Sequence, residues 1–200
     1  MKRRLLTSIL SVLITNVVFA QEIKPQLLKQ PGNWEFERFS LPPAFAPAIM
    51  YKGFEELRFA PGMFKKDSID YFSYAFIASI DSLKNISQKD VQVYLLHYYV
   101  GLCRQVAKDN KLTIDTSKIT VEAINKKIRS AKEVIYNYLV NVFGVFADGA
   151  PVKLNMEVKV MKDITRDKIY LFFITSPQPK TSAVWKKLYQ VRKDFRMPAG

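Results

Sequence analysis

His97 is the one histidine in a chain of 200 residues, and it limits the chemistry the sequence can carry. Metal sites built on two imidazoles are excluded, and any histidine-activated nucleophile has this single base to draw on. No Gly-x-Ser-x-Gly elbow and no His-Glu-x-x-His pair accompanies it. Glu55 and Glu56 are adjacent, and successive side chains on a strand point to opposite faces, so these two cannot flank one substrate as acid and base. Glu55 shares a face with Leu57 and Phe59, which puts a carboxyl of raised proton affinity at a pocket wall if those two point into the core. On the other face, Glu56 and Arg58 are expected as a weak exposed ion pair. Gly53, Gly62 and Gly149 are isolated turn glycines that build no phosphate-cradling loop, and the acids never alternate as in a calcium loop.

These residues must be positioned by elements, and the strand holding Glu55 is expected over 54–59, stopped by Pro61 and Gly62. A second strand is expected over 71–81, with Phe72, Tyr74, Phe76, Ala78 and Ile80 on one face and the small Ser73, Ala75 and Ser79 on the other. Small side chains there let a helix or a ligand approach the sheet closely, which adds Ser73 to Glu55 and His97 as candidate ligand-binding residues. No catalytic residue, metal ligand or cofactor is assigned. His97 falls on a helix expected over 88–108, opened by a capping box of Ser87 and Asp90 and marked by Val91, Leu95, Tyr98, Leu102 and Val106. Cys103, the single cysteine, lies on its apolar face and reads as a buried inert thiol.

Further along, Val152, Leu154, Met156, Val158 and Val160 alternate with Lys153, Asn155, Glu157 and Lys159, the pattern of a strand with one wet face. Strands over 134–146 and 168–175 are expected on either side of it in sequence, and a weaker one over 119–124. Ser182 is placed to cap a last helix whose stripe is Val184, Trp185, Leu188, Val191 and Phe195. That basic amphipathic pattern suits either a helix closing over a sheet or one in peripheral contact with a membrane. Between Trp34 and the first expected strand, Pro42, Pro43 and Pro47 forbid a regular helix. Leu41, Phe45, Ile49 and Met50 make this extended arm apolar, as cover for the core, the lip of a pocket or a docking patch.

Lys2, Arg3 and Arg4 precede an apolar run that ends in Val18, Phe19 and Ala20, the layout of a secretory signal cleaved before Gln21. The expected organisation is a signal over 1–20, a flexible polar tether over 21–33 and one domain over 34–200, periplasmic or secreted. The chain carries +13, and the leader's three cations leave 13 − 3 = +10 on the mature protein. For an exported protein this charge points to anionic envelope components rather than nucleic acid, or simply to solubility.

The phrases GFEELRFAPGMF at 53–64, YFSYAFI at 71–77 and SPQP at 176–179 resemble an uncharacterised family of exported bacterial proteins. The resemblance spans most of the mature chain, and the Gln-Glu start after the leader is similar to exported proteins of Bacteroidota. It implies a shared domain shape and no activity or site residues.

The sequence therefore reads as an α+β domain: a largely antiparallel sheet of five or six strands, one long inserted helix and a C-terminal helix. The absent catalytic constellation weighs against an enzyme and toward binding of an apolar or anionic envelope ligand between the sheet, the long helix and the proline-rich arm. Two alternatives are a hydrolase using a carboxylate such as Glu55 with His97 in a cleft, and a structural or protein-interaction module. Oligomeric state is open.

Overall fold

The computed structural model describes residues 26–130 and 133–198. The expected leader over 1–20 and the first five residues of the expected tether lie outside them. Seven strands form one sheet: β1 (Glu35–Leu41), β2 (Gly53–Phe59), β3 (Tyr74–Asp81), β4 (Thr120–Ser130), β5 (Glu133–Phe143), β6 (Pro151–Asp163) and β7 (Lys168–Ser176). Two α-helices join them, α1 (Gln88–Asp109) and α2 (Ala183–Asp194). The order across the sheet is β1-β2-β3-β7-β6-β5-β4, with every neighbouring pair antiparallel. Two meanders, β1 to β3 and β4 to β7, are thus joined by α1 and closed by the pairing of β3 with β7.

The class is the expected α+β, but the strand count is seven rather than five or six. The additional strand is β1, whose EFERFSL run puts Glu35, Glu37 and Phe39 on one face and Phe36, Arg38 and Ser40 on the other. Mixed character on both faces is what an edge strand tolerates, and it hides the period-2 signal. The expected strand over 71–81 begins three residues late, because residues 68–73 are tied in turns and Phe72 adopts a left-handed backbone, φ 48°.

β7 explains the two-sided core. Ile169, Leu171 and Phe173 point to the α1 side, and Tyr170, Phe172 and Ile174 to the α2 side, so this central strand is apolar throughout. Phe76 and Phe173 sit directly opposite on β3 and β7 and stack 4.0 Å apart, with Tyr94 of α1 5.7 Å from the Phe173 ring. Such pairs contribute about 0.5–1.5 kcal/mol each beyond their buried area. α1, about 33 Å long by its 22 residues, starts at the expected capping box: the Ser87 hydroxyl accepts the Asp90 N–H and the Asp90 carboxylate accepts the Ser87 N–H. Cys103 is buried on it, and burial pushes its thiol up to about 11.

The apolar arc of α1 is wide because the proline-rich arm covers a second flank. Phe45 meets Tyr98 edge-on at 5.2 Å, and Tyr51 packs 6.2 Å from Tyr94. Gly101 permits this approach: a Cβ there would lie 2.1 Å from the Phe45 carbonyl oxygen. Across the sheet, Val184, Trp185, Leu188 and Val191 of α2 bury against Ala75, Ile77, Phe172 and Ile174. Four residues of the expected stripe are thus inside the fold, and the fifth, Phe195, is half-buried. Ser182 stands at the N-cap position of α2, but its hydroxyl makes no capping bond and is buried without a partner. Among the described residues no helix is long and apolar enough to cross a membrane.

Residues 26–33, expected as tether, are seated on the α2 side of the sheet, with Leu27 and Leu28 buried. Glu56 holds them: its carboxylate accepts the N–H groups of Gln26, Leu27 and Leu28, each at 2.8 Å. Arg58 donates to the carbonyls of Leu28, Trp34 and Lys29 at 2.9, 2.9 and 3.3 Å. Glu56 and Arg58 are both buried, which corrects the expectation of an exposed pair. Their charges are satisfied by the backbone of the strap, and Arg38 adds a contact to Glu56 at 3.5 Å.

Candidate functional site

The three residues singled out from the sequence do not meet. Glu55, opposite Phe39 on β1 and Ala78 on β3, points to the α1 side and is fully buried. Ser73 lies on the α2 side of the sheet, where its hydroxyl donates to the Tyr71 carbonyl at 3.0 Å and sits 2.7 Å from the Ser176 hydroxyl. The sheet separates the two. His97 is half-buried on the line of α1 that also carries exposed Val93 and Arg104, away from the sheet. No hydrolytic pair of Glu55 and His97 is assembled.

Neither carboxyl oxygen of Glu55 has a hydrogen-bond partner among the described residues. Burial pushes the Glu55 carboxyl well above the usual carboxylate range. Burial and then Glu55 also raise Tyr98, with smaller contributions from Tyr99 and Glu37.

A cleft of about 230 Å³ opens beside this acid, between the sheet, α1 and the arm. Glu37 and Phe39 of β1, Leu57 and Phe59 of β2 and Tyr74 of β3 form its floor. Tyr98, Leu102 and Val106 of α1 form the opposite wall, with Phe45 of the arm as a lip. Met63 and Phe64, after β2, and Phe146, in the β5–β6 turn, line the end where the cleft opens. The side chains are placed by period: Glu37, Phe39, Leu57, Phe59 and Tyr74 all fall on the α1-facing parity of their strands, while Tyr98, Leu102 and Val106 recur at helical spacing. Phe64 lies tilted 5.5 Å from Phe59 and meets Phe146 edge-on at 5.3 Å, yet 41% of it is exposed at the opening. The Tyr74 hydroxyl is satisfied by Tyr99 at 2.6 Å, so it offers little to a ligand.

Glu37 is the one charged group among the described lining residues. It is exposed at the mouth, where partial desolvation, followed by the charge of Glu35, raises its proton affinity. Leu41 and Ile49 of the arm are buried and Phe45 is half-buried, so the arm presents no exposed patch of these three; Met50 is outside, at 90% exposure, as are the small Ala44 and Ala48. The sequence signals that found the arm and helix were sound, but the cleft residues from β1 and the 143–150 turn had no signal of their own.

No family model matches the chain, and no curated protein matches it. Two solved structures are similar to it. The Ran-binding protein Mog1p of Saccharomyces cerevisiae is 9% identical, with a TM-score of 0.38 over 82% of this chain and 95% of that one. The cyanobacterial PsbP protein CyanoP of Synechocystis sp. PCC 6803 is 13% identical, with a TM-score of 0.36 over 84% of this chain and 96% of that one. Neither likeness bears on what this chain binds.

Proposed function

We propose that the chain is an exported, non-catalytic binding protein that holds the apolar part of a small envelope ligand in the cleft under the proline-rich arm. The observation that carries this reading is the cleft itself: about 230 Å³, walled by aromatic and aliphatic side chains and open to solvent past Phe64. A cavity of roughly 150 Å³ already accepts a benzene-sized ring, and a ligand that buries about 100 Å² of apolar surface gains roughly 2.5 kcal/mol. The basic and apolar character of residues 1–20 supports export. The buried, unpartnered state of Glu55 supports a core acid rather than a catalytic one.

Calorimetric titration of the mature chain with 2-phenylethanol tests the reading. Saturable binding at one site, abolished in Leu102→Trp, whose indole would occupy the cleft, is the expected result. Absence of saturable binding, or equal binding by the filled variant, would refute it.

A further inference from the structure

Building on that reading of the cleft, we propose that its ligand is a small amphipathic cation, an apolar or aromatic group carrying an amine or quaternary ammonium, with the charge held at Glu37. No ion pair among the described residues reaches Glu37. Lys66, two residues after Phe64, is committed to Asp148. Glu35 lies on the same face of β1 as Glu37 and opposite Phe59, so a second carboxylate flanks the mouth. An anionic ligand would bring like charge against both.

Behind these acids stand the half-buried Phe39 and Phe45, and aromatic ring faces attract cations by about 0.5–2 kcal/mol when the charge is partly desolvated. The same strands already use this contact on their other side, where Arg38 lies 4.1 Å over Phe54 and Arg58 4.8 Å over Phe36. The mature chain's +10 would favour an anion at long range, but charges beyond roughly 8 Å are largely screened at physiological salt. The two glutamates therefore set the preference at the opening. The volume suits one ring and a short linker, leaving the ammonium at the rim.

The test compares 2-phenylethylammonium, neutral 2-phenylethanol and anionic 3-phenylpropanoate by calorimetry on the mature chain. The ammonium is expected to bind about fivefold tighter than the alcohol or more, and the anion weakest, with the preference shrinking as salt rises. Glu37→Gln, an exposed change checked for folding by its melting curve, should bring the ammonium down to the level of the alcohol. Equal affinities, a preferred anion, or an unaltered preference in Glu37→Gln would overturn the charge assignment while leaving the cleft as a binding site. Failure of all three compounds to bind would overturn both.

Discussion

Glu55 and Glu56 are neighbours in sequence with opposite fates. Alternation along a strand was legible and separates them correctly, but neither burial nor partners can be read from spacing. Glu56 finds three backbone N–H groups, whereas Glu55 finds no partner among the described residues and burial raises its proton affinity. Above the ordinary carboxyl value of 4.5, the unfolded chain releases the Glu55 proton that the folded chain keeps. Folding stability contributed by this residue is therefore full below that pH and declines as pH rises toward the folded value, by about 1.4 kcal/mol per pH unit at most. Glu55→Met removes both the titration and the unsatisfied group, and denaturant melts should show it more stable at pH 7 by about 1–3 kcal/mol, with a flatter pH profile. A less stable methionine variant would mean that the carboxyl has partners in solution.

At the scale of elements, the strongly periodic pieces were legible: β6 by strict alternation, α1 by its capping box and stripe, and α2 by its apolar face. β1 was not, because its residues mix acid and aromatic on one face and aromatic, arginine and serine on the other. The placing of the strap escaped the sequence, and that of the arm was left among core cover, pocket lip and docking patch, since both lack periodicity and are held by contacts distant along the chain. Glu157 illustrates this: burial alone would raise its carboxyl, but hydrogen bonds from Lys180 and Arg192 bring it below the usual range and pin α2 to β6. The arm depends on Gly101. Gly101→Ala places a methyl where the Phe45 carbonyl now lies, and overpacking of this kind costs about 1–3 kcal/mol. Denaturant melts should report that loss, and chymotrypsin should cleave after Phe45 faster than in the parent chain. Unchanged cleavage and stability would show that the arm does not rest on α1.

Considered whole, the molecule is a sheet with two different faces. The α2 face is covered by the helix and the strap, which leave a depression lined by residues 26–30 and the end of α2, while on the α1 face a cleft lies where β1, the arm and the 143–150 turn converge. That convergence joins residues more than 100 positions apart, Glu37 and Phe146, which is why the cleft was foreseen only as a region between sheet, helix and arm. Met63 lies in its wall and is buried, whereas Met161 packs in the core of the opposite face and Met197 lies beyond α2. Methyl-carbon NMR of the methionine-labelled mature chain, titrated with 2-phenylethylammonium, therefore tests the binding role of the cleft most directly. The Met63 resonance should shift to saturation while Met161 and Met197 hold still; a stationary Met63, or a shift at Met197 instead, would contradict the account.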